Sequence, residues 1–283
     1  MTVVESARPG AAWSASLRRA PEADLAAWLS LALEMCDEAD RIALRWYRRE
    51  VPISRKPDRT FVTEADRAIE RLVRDRIRAI YPDHGFVGEE YGDEDGAAGV
   101  RWYIDPIDGT HNFIRGVPLF GTLLAVEVDG EMQVGVMSAP AMSERWYAAR
   151  GRGAWAIARD GLRRRLLVSS VDALGEAQLI YGSRRENVAS GLMPGFDAVI
   201  DACWRDRGFG DFWGYALVAE GAAEAMIETG MHSWDVAAPM IIIEEAGGRV
   251  TDMSGARDVN AASFVGSNGL LHEELLRGLA TPG

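Results

Sequence analysis

Cysteine is nearly absent from this chain. Cys36 and Cys203 are the two in 283 residues, and they form no metal-ligand spacing. With no secretory apolar segment ahead of them, they read as reduced thiols of a cytosolic protein, and the localisation expected is cytoplasmic. Long apolar runs are missing too. None approaches the ~20 residues of a membrane span, so no membrane partner is expected. The first 20 residues have mixed charge and no apolar stretch long enough for a signal peptide. They read as a flexible tail (1–20) ahead of a single domain (21–283) made of two tightly joined α/β halves. Basic charge is in short supply: 31 Lys and Arg stand against 43 Asp and Glu, a net charge of −12. That argues against a nucleic-acid partner, and an anionic substrate would be repelled unless bound cations intervened. No repeat and no low-complexity linker interrupts the chain. What is plentiful is apolar side chain, 48% of residues, enough for a sizeable core.

The acid is concentrated in motifs. Trp102-Tyr103-Ile104-Asp105-Pro106-Ile107-Asp108-Gly109-Thr110-His111-Asn112-Phe113 reads as a short apolar strand ending in two carboxylates, followed by a helix start. Two carboxylates on one turn repel each other, by about 4 kcal/mol at ~4 Å and an effective dielectric of ~20. A divalent cation would offset this, and hard oxygen ligands favour magnesium or calcium over zinc. Free N–H groups after Asp108 would suit a phosphate. The same residues, Asp, Pro and Gly, are also ordinary turn formers. Upstream, Glu89 and Glu90 follow a short apolar stretch. Downstream, Asp235 sits in the first turn of an apolar helix, with Ser233 as the candidate cap, where a carboxylate also suits the helix dipole. Thr63 and Asp66 have the spacing of a capping box at the start of a helix carrying Ile69, Leu72, Val73, Ile77 and Ile80 on one side.

The segments Gly88-Glu89-Glu90, Trp102–Phe113 and His232–Gly248 together resemble the inositol monophosphatase superfamily of magnesium-dependent phosphatases, over about residues 24 to 280. The resemblance implies a layered αβαβα sandwich of the α/β class, a small phosphorylated substrate, a homodimer and two or three Mg2+ ions. It implies that Glu89, Asp105 and the carbonyl of Ile107 hold a first ion. Asp105, Asp108 and Asp235 would hold a second, and Glu89 would share a third through water. Asp66 and Thr110 would orient and deprotonate the attacking water, and the N–H groups of Gly109 and Thr110 would hold phosphate. Lys56 falls where the family often has a mobile basic loop. The chemistry is consistent: a phosphate monoester carries about two negative charges at neutral pH, and bound metals neutralise charge and acidify water.

The segment Arg205–Tyr215 resembles the histidinol-phosphate phosphatase branch. Asp211 and Glu228 would form a carboxylate pair for a cationic substrate, with Arg207 nearby. Asp211 also suits a helix N-terminus, and Arg207 a surface ion pair. His111 departs from the family's usual small hydroxyl or Lys. His111 and His232 lack zinc spacing and are expected to be hydrogen-bonded. The reading is therefore L-histidinol-phosphate phosphatase, of histidine biosynthesis. The alternatives are an inositol-1-monophosphatase or other sugar-phosphate phosphatase, an adenosine 3′,5′-bisphosphate phosphatase, and a non-catalytic metal or phosphate binder.

Apolar patterning predicts an amphipathic first helix through Leu25, Trp28, Leu29, Leu33, Cys36, Ile42 and Trp46. It predicts strands Val100–Asp105, Leu119–Val128, Met132–Ser138, Arg145–Ala149, Gln178–Tyr181, Ala223–Glu228, Arg249–Asp252 and Phe264–Ser267. Helices are expected near 194–203, over Phe212–Glu220 and near 273–279. Asp129-Gly130 predicts a hairpin turn, Gly151–Trp155 a second turn, and the basic stretch 159–165 a solvated loop.

Overall fold

The computed structural model describes residues 18–56, 61–158 and 160–282. Of the predicted tail, residues 1–17 lie outside the described residues. Arg18 and Ala20 are joined to Gln133 by backbone-to-side-chain hydrogen bonds of 3.0 and 2.9 Å.

The chain opens with helix α1 (Glu22–Trp46), then a ribbon of β1 (Ile53–Arg55) and β2 (Phe61–Thr63). Helix α2 (Glu64–Ile80) follows. The seven-stranded sheet holds β3 (Gly85–Gly88), β4 (Val100–Asp108), β5 (Gly121–Val128), β6 (Glu131–Ala139), β7 (Glu144–Ala149), β8 (Ala154–Ile157) and β9 (Arg163–Arg165), in that spatial order. The short α3 (Thr110–Arg115) links β4 to β5. The second half has β10 (Gln178–Tyr181), α4 (Arg184–Ala189), α5 (Phe196–Ala202), β11 (Arg205–Arg207), α6 (Asp211–Ala219), β12 (Ala225–Thr229), α7 (Ser233–Glu245), β13 (Arg249–Thr251), β14 (Ser263–Ser267) and α8 (His272–Ala280). Its sheet is ordered β11-β10-β12-β14-β13, parallel among the first three strands and antiparallel thereafter.

Three apolar clusters hold five layers together, the middle one spanning both faces of the central helices. α1 and α2 bury Trp28, Met35, Ile69, Val73 and Ile77 against one face of the large sheet. The other face packs on α6 and α7, which fill the space between the sheets with Phe212, Tyr215, Ile241 and Ile243. The outer face of the small sheet is covered by α5 and α8 through Phe196, Val199, Leu275 and Leu279. This is the layered αβαβα arrangement expected. α7 is apolar all round because it lies between two sheets; Val236 through Glu244 are all buried. The one-sided reading of α2 holds for Ile69, Val73 and Ile77, but Ile80 is 51% exposed.

The hairpin at Asp129-Gly130 forms, with φ of 51° and 85°, the double left-handed geometry of a two-residue turn. Other expectations need correction. The stretch Arg163–Arg165 pairs with β8 as an edge strand instead of a solvated loop, while Arg159 lies outside the described residues. Gly151–Trp155 is a turn in its first part only, since β8 begins at Ala154. The strands β1, β2, β3 and β11 are only three or four residues each, too short for an alternating pattern to show.

Candidate active site

β4 does not end at Asp105 as predicted. It continues to Asp108 through a bulge: Asp105 lies opposite Leu123 and Asp108 opposite Gly121, so Pro106 and Ile107 together face Thr122 alone. In a regular strand, residues three apart point to opposite faces. The extra residue cancels that inversion and brings both carboxylates to one side. Pro106 tolerates the break because it has no N–H to donate to the ladder, and its carbonyl accepts from Thr122 Oγ1 at 2.8 Å. Gly109 then turns the chain with φ 78°; a Cβ there would sit 2.8 Å from the Leu119 carbonyl.

Asp235 comes from the first turn of α7 and meets this pair. Carboxylate oxygens of Asp105, Asp108 and Asp235 all lie within 4.8 Å of one another. The helix cap is His232 and not Ser233: the His232 N–H donates to Asp235 Oδ2 at 2.8 Å. Burial raises the pKa of Asp105 well above its ordinary value, with Glu89, Asp108 and Asp235 adding like charge. Asp108 is raised for the same reason, its charged neighbours being Asp211, Asp235 and Glu228. Asp105 Oδ1 is buried and has no hydrogen-bond partner among the described residues.

Glu89 joins from the loop after β3, sharing a hydrogen bond with Asp105, and its pKa is raised by burial against the opposing pull of Lys56. The Lys56 ammonium lies 2.7 Å from Glu89 and 2.6 Å from Glu90. Both glutamates are partly buried, so the exposed loop edge is not their setting. A set of hard oxygens with no sulfur, an orphaned buried carboxylate oxygen and mutual repulsion fits a divalent cation of the magnesium type.

Asp66 is fully buried at the start of α2. Its Oδ2 accepts from the Thr63 N–H at 2.8 Å and the Thr63 hydroxyl at 2.5 Å, the capping box expected. Burial still lifts its pKa to about 6, and Oδ1 has no partner among the described residues. Thr110 Oγ1 donates to the Ile107 carbonyl at 3.0 Å; no hydrogen bond is found between Asp66 and Thr110 among the described residues.

On the other side of the acid cluster, the first N–H groups of α6 are used. Phe212 N–H donates to Asp108 Oδ2 at 2.7 Å. Asp211 adopts φ 52°, a left-handed geometry that Asp tolerates better than most residues. Asn112 Nδ2 holds its carboxylate at 2.8 Å. Burial raises the Asp211 pKa to about 6, with Asp235 and Glu186 contributing like charge. Glu228, on β12, is raised well above its ordinary value by burial, then by Asp211 and Asp235. Its Oε2 and the Tyr215 hydroxyl are buried without partners among the described residues.

Arg207 is not drawn into this cluster. It is exposed on β11, with its guanidinium on the Asp206 carbonyl at 2.6 Å. His111 packs edge-on against Phe61, and His232 stacks on Trp234. Sequence reasoning passed over Asn112, Tyr215 and Glu186. Asn112 and Tyr215 stood inside quoted segments without being singled out, while Glu186 carried no local signal.

These features define an acidic site whose carboxylates could hold a metal ion, and comparison with known proteins gives the family. The inositol monophosphatase family profile matches residues 24–281, and the chain belongs to that family. Among its relatives, the histidinol-phosphatase of Mycobacterium tuberculosis is 45% identical over 249 residues, covering 88% of this chain and 96% of that protein. The histidinol-phosphatase of Streptomyces coelicolor is 40% identical over 253 residues, covering 88% and 95%. An IMPase structure from Thermotoga maritima superposes with a TM-score of 0.78 at 32% identity, covering 89% of this chain and 96% of that one.

Proposed function

We propose that this protein is a magnesium-dependent phosphatase whose preferred substrate is L-histidinol phosphate. The observation that carries the phosphatase reading is the convergence of Asp105, Asp108 and Asp235 beside the turn at Gly109. The histidinol reading is supported by the carboxylates Asp211 and Glu228 next to that cluster, and by the relatives named histidinol-phosphatase.

Glu89, Asp105, Asp108, Asp235 and the Ile107 carbonyl are the groups that would hold two or three Mg2+ ions. Bound there, the metal would supply charge neutralisation for the ester and a water acidified for attack. The remaining work belongs to the chain. Gly109 and Thr110 present backbone N–H groups to phosphate oxygens at the turn that opens α3. Asp66 is the proton acceptor: a pKa of about 6 leaves it ionised at neutral pH yet basic enough to take a proton. Thr110 orients the water, exchanging its Ile107 bond for one to Asp66 or water when substrate binds. Asp211 and Glu228 receive the substrate ammonium or imidazolium. Arg207, exposed on β11, is given no substrate contact.

The test is phosphate release from L-histidinol phosphate, myo-inositol 1-phosphate and fructose 1,6-bisphosphate at equal magnesium. The histidinol ester is expected to give the highest kcat/KM. EDTA, or Asp108→Asn, is expected to abolish nearly all turnover on every ester. A higher kcat/KM for inositol phosphate would overturn the substrate, and equal rates in EDTA and magnesium would overturn the metal.

A further inference from the structure

The loop that carries Glu89 is held from behind by a buried ion pair. Glu70 and Arg74 lie one turn apart on α2, with side chains 0% and 5% exposed. Glu70 Oε2 accepts from the Glu90 N–H at 2.7 Å, and Oε1 accepts from the Tyr91 N–H at 3.2 Å. Arg74 Nε donates to Glu70 Oε1 at 2.8 Å. A second arm of the same guanidinium donates to the Gly92 carbonyl. Its plane also lies over the rings of Phe86, at 5.0 Å, and Tyr91, at 6.0 Å. Backbone groups of three consecutive residues after Glu89 are thus held by two side chains of one helix. Glu70 stands one turn beyond Asp66, so α2 places the proton acceptor and the grip on the loop on one face.

The chain is shaped for this contact. A Cβ at Gly88 would sit 2.1 Å from Glu70 Oε1 and 2.6 Å from Arg74 Nη2. Only a residue without a side chain lets the pair reach the loop. A fully buried carboxylate is costly to keep unless its charge and lone pairs are matched, and here the guanidinium and two N–H groups match them. For stability alone, apolar side chains would serve this position as well. The expense of a charged pair is explained by what it holds.

We infer that Glu70 and Arg74 are positioning residues for the metal loop: through the backbone of Glu90, Tyr91 and Gly92 they fix the carboxylate of Glu89 at the distance a divalent cation requires. This rests on the reading of Glu89 as a metal ligand. Groups behind metal ligands commonly set affinity by about ten- to hundredfold.

The experiment measures Mn2+ binding to metal-free protein by the electron paramagnetic resonance signal of the free ion, with turnover followed separately at saturating metal. Glu70→Gln keeps the volume but turns an amide NH2 toward one of the two N–H groups. Gly88→Ala keeps the pair and pushes it off the loop. Both are expected to weaken Mn2+ binding about ten- to hundredfold, while kcat at saturating metal stays within a few-fold. Near-UV circular dichroism identifies the folded fraction, and a packing role alone would lower thermal stability without moving Mn2+ affinity. Unchanged affinity in both variants, beside a weakened Glu89→Gln, would overturn the clamp and leave the metal reading intact. Unchanged affinity in Glu89→Gln as well would remove Glu89 from the metal site and the clamp with it.

Discussion

Asp211 is the side chain to which the proposed specificity is assigned. It is held by Asn112 in a left-handed backbone geometry and neighbours Glu228. A cationic substrate group would pair with both carboxylates, and a neutral polyol would leave at least one poorly matched. Asp211→Asn is therefore expected to cost the histidinol ester about 1.5–3 kcal/mol, about ten- to a hundredfold in kcat/KM, while glycerol phosphate loses little. Steady-state kinetics on the two esters checks this, and equal losses would show that Asp211 acts through the fold. Asp211 became a candidate through the resemblance of Arg205–Tyr215 to the histidinol-phosphate phosphatase branch. Tyr215 was not readable, because an aromatic in a helix looks like core. Only the unpartnered hydroxyl among charged neighbours sets it apart.

At the scale of elements, the start of α2 joins folding to chemistry. The Thr63 hydroxyl caps the helix through the Ala65 and Asp66 N–H groups and also donates to the Asp66 carboxylate. The latter bond lowers the Asp66 pKa against the upward pull of burial. Thr63→Val keeps the shape and removes both functions. It should lower unfolding free energy by about 0.5–2 kcal/mol, as lost caps do, measured by urea unfolding. It should also move the acid limb of the kcat/KM–pH profile upward, because Asp66 loses a bond to its charged form. An unshifted limb with reduced stability would confine Thr63 to capping and remove Asp66 from the profile. The capping pair of Thr63 and Asp66 was legible in the sequence, while the proposed proton-acceptor role of Asp66 came from the family resemblance. The bulge in β4 was not legible. Asp-Pro-Ile-Asp-Gly is equally good as a turn, and the difference lies in pairing with Leu123 and Gly121 on another strand.

Across the whole molecule, the site concentrates acid that folding makes harder to ionise. Burial raises Glu90 to about 7 and Asp66 and Asp211 to about 6, and it lifts Asp105, Asp108 and Glu228 well above their ordinary values. Their ordinary values lie near 3.8 for Asp and 4.5 for Glu. Between those values and the raised ones, the folded state binds more protons than the unfolded state, so stability falls as pH rises. Metal-free protein is expected to melt at higher temperature at pH 6 than at pH 8. Saturating magnesium is expected to raise Tm most at pH 8, since it binds the ionised folded form. Scanning calorimetry at both pH values, with and without magnesium, checks the sign. A metal-free Tm that rises from pH 6 to pH 8 would contradict the shared cause assigned to these shifts.

The sequence by itself determined the main helices and strands through apolar period and capping pairs, and its motifs, through their resemblance to a known family, carried the layered α/β class and the acidic residues that converge. The tertiary structure alone decided how those residues meet. The bulge turned Asp105 and Asp108 to one side. The length of β4 was set by pairing with β5, and β9 became a strand because β8 offered an edge. Arg207 stayed at the surface while Glu70, one turn past Asp66, became the grip on the Glu89 loop. Hydrogen bonds between segments far apart in the chain leave no periodic trace in either segment, and so they become visible only once the chain has folded.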